Sequence, residues 1–247
     1  MRRSAHHPKR DPRAGPLERQ AAASLRAAST TIARLERSGA RVIAAAAEAM
    51  IACLENGGTV FFCGNGGSAA EAEHLACELS GRYLLDRPGL AAVALSANTS
   101  SLTAIGNDFG FEHVFARALE GLGSPGDVLV AMTTSGRSRN VRRAVEVARG
   151  LGMVIVGLTG PAGAEFAARC DVALVSQHAS TPRIQEAHMV AGHITCELVE
   201  RALFPPNGGG KRSAAKSSAG ARRRESAREP ARSSARPPAR RGARGRS

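Results

Sequence analysis

With 247 residues, 43% of them hydrophobic, the chain is long enough to bury one or two cores, but no Trp, one Tyr and seven Phe leave that core to Ala, Val, Leu and Ile. The net charge of +13 suggests a nucleic-acid binder until it is located: residues 207–247 hold 13 basic and 2 acidic side chains, residues 1–17 hold 5 and 1, and residues 18–206 hold 16 and 18, so the central part is slightly acidic. No apolar run reaches the roughly 18–20 residues of a bilayer span, and no apolar stretch follows the basic N-terminus as in a secretory signal. The five cysteines (Cys53, Cys63, Cys77, Cys170 and Cys196) are odd in number and lack C-x-x-C spacing, as expected of a reduced, cytoplasmic protein without a membrane partner.

Residues 1–16 are rich in Pro, Arg and His, show no period, and are expected to be a disordered basic tail. From 17 to 55 the pattern is helical, with Leu25, Ile32, Leu35, Val42, Ile43, Met50 and Leu54 near helical spacing. Ser38-Gly39 is expected to split this stretch into two helices, and Asn56-Gly57-Gly58 to end the second. Short apolar runs then alternate with helical stretches. Strands are expected at 59–63, 90–95, 127–132, 153–158 and 171–175. Helices are expected at 69–83, around 100–105 and 112–122, at 140–151, briefly after 158, and at 184–203. Strands apolar throughout and separated by helices indicate a parallel sheet covered on both faces. The expected fold is α/β, a three-layer αβα sandwich with a five-stranded parallel sheet, preceded by N-terminal helices. One domain would span 17–206. Residues 207–247, rich in Arg, Ala, Ser, Pro and Gly, read as a disordered tail.

Ligands of open parallel sheets bind at the carboxyl ends of the strands. Two glycine-rich turns fall there. The first is Phe62-Cys63-Gly64-Asn65-Gly66-Gly67-Ser68, which is neither a G-x-G-x-x-G fingerprint nor a P-loop. The second is Thr133-Thr134-Ser135-Gly136-Arg137-Ser138, with several hydroxyls where a simple helix cap needs one. Backbone N–H groups and hydroxyls at a helix N-terminus suit a phosphate. His74 and Glu78 lie four apart on the helix that leaves the first turn, so they share a face. On the last helix Gln185 and His193 are eight apart, two turns along one face, with His188 three beyond Gln185. His74, Glu78, Gln185 and His193 together make a plausible donor set for a borderline divalent ion.

The two turns, Glu78, Asn107-Asp108-Phe109-Gly110-Phe111, Arg183-Ile184-Gln185-Glu186 and His193 resemble the sugar isomerase (SIS) domain family, and within it the phosphoheptose isomerases. The resemblance covers roughly residues 20–204. It implies the SIS fold, a homotetramer, and interconversion of sedoheptulose 7-phosphate with D-glycero-D-manno-heptose 7-phosphate, the first step toward activated heptoses. By motif, Thr133, Thr134, Ser135 and Ser138 would hold the phosphate of the sugar-phosphate substrate. Asn65, Gly66, Gly67, Ser68, Asn107, Asp108, Glu78 and Gln185 would contact the rest. Glu78 would be the base and His193 the acid, and His74, Glu78, Gln185 and His193 would bind one Zn²⁺ per subunit. Isomerisation through an enediol needs one group to move a proton between carbons and another to serve oxygen.

Two departures stand out. The second turn begins with Thr133 and has Arg137 at its fifth position, where the side chain either adds a charged contact to phosphate or points into solvent. Pro182 stands where some members carry an Asp. The competing class is a non-catalytic SIS protein, a sugar-phosphate-binding regulator or one that associates with the bacterial replication initiator; in the latter the positions of Glu78 and His193 are replaced. Nonspecific nucleic-acid contact through the Arg-rich C-terminal tail is a third expectation.

Overall fold

The computed structural model describes residues 15–205. The two expected tails therefore lie outside the described residues, apart from Gly15 and Pro16. Five strands, β1 (Val60–Cys63), β2 (Ala92–Ala94), β3 (Val128–Thr133), β4 (Val154–Thr159) and β5 (Val172–Val175), form one sheet in the order β2-β1-β3-β4-β5. Every pairing is parallel; Val60 lies opposite Ala92 on one side and Val128 on the other. The helices are α1 (Pro16–Glu55), α2 (Gly67–Ser80), α3 (Thr99–Phe109), α4 (Ala116–Leu122), α5 (Arg139–Gly150), α6 (Ala164–Ala167) and α7 (Thr181–Leu203).

The strands alternate between two cores. Val60, Phe62, Val128, Val130, Met132, Val156 and Leu158 face a layer built from Ile43 and Met50 of α1, Leu75 and Leu79 of α2, and Ala191 and Val199 of α7. Phe61, Cys63, Leu129, Ala131 and Ile155 face the opposite layer, which includes Leu119 of α4, Val141 and Val145 of α5, and Phe166 of α6. A sheet buried on both faces explains why β1 and β3 are apolar at almost every position. Helix α5 buries Val141, Ala144, Val145 and Ala148, the i, i+3, i+4, i+7 stripe of a one-sided helix.

One expected feature of α1 is corrected. The Ser38-Gly39 pair does not divide the segment; α1 is a single helix of 40 residues. Ser38 Oγ donates back to the Arg34 carbonyl at 3.0 Å, so it stays within the helical ladder. Gly39 is buried, and a side chain there would press on Leu35 and Leu174. Close packing on β5 thus outweighs a glycine cost of about 1 kcal/mol. The expected end holds: Asn56 is the C-cap and Gly57 takes a φ of +73°, a conformation that favours glycine. The first turns of α1 stand clear of the sheet, with Leu17 79% and Leu25 71% exposed.

Candidate active site

The sheet order reverses at β1 and β3: chain connections lead outward to β2 on one side and to β4 and β5 on the other. Both glycine-rich turns leave these two neighbouring strands at their carboxyl ends, the crevice where such sheets bind ligands. In the first turn Gly66 adopts φ +56° and ψ −120°, and a Cβ on Gly67 would run into the Gln185 side-chain amide. In the second, Gly136 has φ +68°, and a Cβ there would strike the backbone of Gly163. Ser138 is the N-cap of α5 but makes no side-chain cap bond. Its Oγ instead lies 3.1 Å from Thr133 Oγ1, so two hydroxyls sit together beside the helix N-terminus. Ser135 Oγ accepts from the Arg137 amide at 3.2 Å, while the Thr134 carbonyl accepts from Gly160 N–H. The Arg137 side chain is exposed.

Asn140 ties the two turns together. Asn65 Nδ2 donates to Asn140 Oδ1 and Asn140 Nδ2 donates to Asn65 Oδ1, each at 2.8 Å. Asn140 is 3% exposed and also accepts from the Val141 amide. The Asn65 amide is thereby engaged in the wall of the site. Asn140 was missed from sequence; its only local signal is an amide side chain in the first turn of a helix after a hydroxyl-rich turn. Behind this wall Thr159 Oγ1 donates to the Thr133 carbonyl at 2.7 Å, steadying the second turn.

The other end of the site lies between α2 and α7. Gly192 lets Leu75 approach the α7 backbone; any Cβ there would meet it at 2.6 Å. Along α2 from the first turn, His74 Nε2 lies 2.9 Å from His193 Nε2 and 3.2 Å from Glu78 Oε1. The three side chains each place one donor atom within 4.8 Å of the others. Zinc with donors near 2.0–2.2 Å in a tetrahedral arrangement keeps them roughly 3.3–3.6 Å apart, so this set, at 2.9 and 3.2 Å, would hold such an ion after the donors part by a few tenths of an ångström. Two imidazole nitrogens aimed at each other also need a shared proton or a shared cation. Gln185 stands elsewhere: its Nε2 donates to Ser68 Oγ at 3.5 Å, about 12 Å along α7 from His193. Ser68 is 4% exposed.

Asn107 and Asp108 sit on the exposed last turn of α3 and bond each other, Nδ2 to Oδ1 at 2.8 Å. Among the described residues, no hydrogen bond joins them to the two turns or to the His74–Glu78–His193 cluster. Pro182 occupies the first turn of α7, where its missing N–H costs nothing. Two further buried polar groups lie between the ends of the site. His188, fully buried, points Nε2 at the Thr159 carbonyl (3.3 Å), and its Nδ1 is 3.9 Å from Glu71 Oε2. A carbonyl only accepts, so Nε2 carries the proton. Glu71 was also missed: nothing in its local sequence shows that α7 will set a histidine beside it.

Comparison with known proteins identifies the family. The family model described as SIS domain matches residues 25–160. The phosphoheptose isomerase of Rhodospirillum rubrum is 53% identical over 164 residues, 66% of this chain and 87% of that protein. That of Helicobacter hepaticus is 50% identical over 155 residues, 63% of this chain and 79% of its own. The solved phosphoheptose isomerase from Neisseria gonorrhoeae shares the fold with a TM-score of 0.71 and 43% identity, covering 74% of this chain and 98% of that one. With the fold in common and about half of the aligned residues identical, the chain belongs to the SIS domain family, among the phosphoheptose isomerases.

Proposed function

We infer that the chain interconverts sedoheptulose 7-phosphate and D-glycero-D-manno-heptose 7-phosphate. The observation that carries this is the meeting of His74, Glu78 and His193 on α2 and α7, in a fold whose second turn brings the hydroxyls of Thr133 and Ser138 together at the start of α5. The phosphate is held by Thr133, Thr134, Ser135 and Ser138, with the amides at the start of α5. The far end of the sugar then reaches Glu78 and His193. Glu78 takes a proton from C1 of the ketose and returns one to C2, while His193 moves a proton between the two oxygens; the enediol between them needs no oxidant or reductant. Asn65, Gly66, Gly67, Ser68 and Gln185 would line the path of the sugar.

His74, Glu78 and His193 are the residues that would hold a zinc ion, one per subunit, which when bound would polarise the sugar oxygens; Gln185, held at the first turn against Ser68, is too far along α7 to be its fourth donor. The exposed Leu17 and Leu25 on α1, with Phe109 and Phe111 at the end of α3, support a homo-oligomer, the family tetramer. Asn107 and Asp108 would then face a neighbouring subunit's crevice. No helix among the described residues is long and apolar enough to cross a membrane, and all five cysteines are free, which supports a cytoplasmic setting. Contact of the basic C-terminal tail with nucleic acid would be a side activity.

Purified protein supplied with sedoheptulose 7-phosphate, with and without a chelator, tests this. The aldoheptose 7-phosphate should appear, more slowly after chelation. Tight binding of the ester without any turnover would instead favour the regulator.

A further inference from the structure

Behind the acid/base end of the site the chain passes from α2 through residues 81–88, a segment with no helix or strand. One buried ion pair fastens it. Glu200 of α7 accepts from the backbone N–H groups of Tyr83 (3.0 Å), Leu84 (2.8 Å) and Leu85 (3.0 Å), and from Arg87 Nε (2.9 Å). The Arg87 guanidinium also donates to the carbonyls of Leu79 (2.8 Å), Gly81 (3.2 Å), Pro88 (3.1 Å) and Glu78 (2.9 Å). Both side chains are 1% exposed. A buried ion pair is weak evidence for stability, because desolvation offsets most of the attraction. The partners of this pair are mostly backbone groups of residues 78–88, so what the pair fixes is the course of this segment between α2 and α7.

The pair touches both proton-transfer residues at one remove. Arg87 holds the carbonyl of Glu78 itself. Glu200 holds the amide of Tyr83, whose ring lies 5.9 Å from the His193 ring at a tilt of 33°. Glu200 also follows His193 by two turns on the same stripe of α7. We propose that Arg87 and Glu200 are positioning residues for the isomerisation: they lock segment 81–88 between α2 and α7, and so fix Glu78 directly and His193 through the Tyr83 ring. This role rests on the isomerase function proposed above.

Tyr83 is the single tyrosine of a chain without tryptophan, so the near-UV circular dichroism of tyrosine reads the packing of this segment alone. The full chain is compared with Glu200→Gln, Arg87→Lys and Tyr83→Leu for kcat and KM on sedoheptulose 7-phosphate and for inhibition by inorganic phosphate. Glu200→Gln replaces one acceptor oxygen with a donor that faces N–H groups. Arg87→Lys keeps the charge but not the planar fork. Tyr83→Leu keeps the ion pair, which Tyr83 joins only through its backbone. The tyrosine band should weaken in the first two variants. In all three kcat should fall about 10–100-fold while phosphate inhibition stays at its wild-type value. A weakened band with unchanged kcat overturns the proposal, as does phosphate affinity falling in step with kcat, the mark of general loosening. If Glu200→Gln fails to fold, Tyr83→Leu decides: unchanged kcat overturns the proposal and a selective fall supports it. A wild-type chain that does not isomerise the sugar overturns function and positioning together, whereas an active wild type with unaffected variants overturns the positioning alone.

Discussion

His74 and His193 are 119 residues apart in the chain and 2.9 Å apart in space, with Glu78 alongside. If Glu78 moves the carbon proton and His193 the oxygen proton, each should be separable from binding. Glu78→Gln and His193→Gln should lower turnover by roughly 10²–10⁴-fold, the usual size of a general acid or base. Calorimetry with the sugar phosphate should find affinity little changed, since Thr133, Thr134, Ser135 and Ser138 are untouched. Full turnover in both variants would refute the assignment. The converse belongs to Gly136. Ala there must adopt φ near +68° and press on the Gly163 backbone, so Gly136→Ala should distort the second turn and raise KM more than it lowers kcat. The hydroxyl-rich turn and the four-residue spacing of His74 and Glu78 were legible because the signal is local. Asn140, Glu71 and Arg87 were not, because each acquires its role from a partner on another element.

Among the elements, α2 and α7 carry the His74–Glu78–His193 cluster, and α1 packs along α7. The five strands were readable as short apolar runs, and the helical character of α1 from its apolar spacing. The continuity of α1 was not, because a Ser-Gly pair reads as a break until Leu35 and Leu174 are seen to close over Gly39. The C-terminal half of α7 is tied to segment 81–88 by Glu200. Burial raises the Glu200 carboxyl, but three backbone N–H groups and Arg87 outweigh it, holding it below the ordinary carboxylate range. A depressed carboxyl contributes stability that is present above its unfolded pKa and lost as pH falls through the folded value. Chemical unfolding of wild type and Glu200→Gln should therefore differ most near neutrality, and the gap should shrink on acidification. A gap independent of pH would show that the charge of Glu200 is not what holds the segment.

Across the whole molecule, two cores share one sheet, so damage to either should unfold both. Phe62 is 1% exposed in the core under α1, α2 and α7, and Phe62→Ala should cost about 3–5 kcal/mol in urea unfolding. Burial also pushes the thiols of Cys63, Cys170 and Cys196 up to about 12 and that of Cys53 to about 11, whereas Cys77 is exposed. A thiol reagent followed by mass spectrometry should modify Cys77 first and the other four only after denaturation. Residues 17–206 alone should fold, oligomerise and isomerise the sugar, because both cores lie inside that span and the first turn of α1 is exposed. A stable monomer by light scattering would contradict the oligomer.

Isomerisation in D₂O reads the proposed proton transfer by Glu78 through an enediol at the carbon where it occurs. Sedoheptulose 7-phosphate turned over by the wild-type chain should yield aldoheptose 7-phosphate with deuterium bound to C2, read by nuclear magnetic resonance, because the proton taken by a carboxylate exchanges with solvent before it is returned. The label should vanish together with turnover in Glu78→Gln. Product formed at the full rate with only protium at C2, as direct hydride migration would give, would rule out the enediol and the role of Glu78.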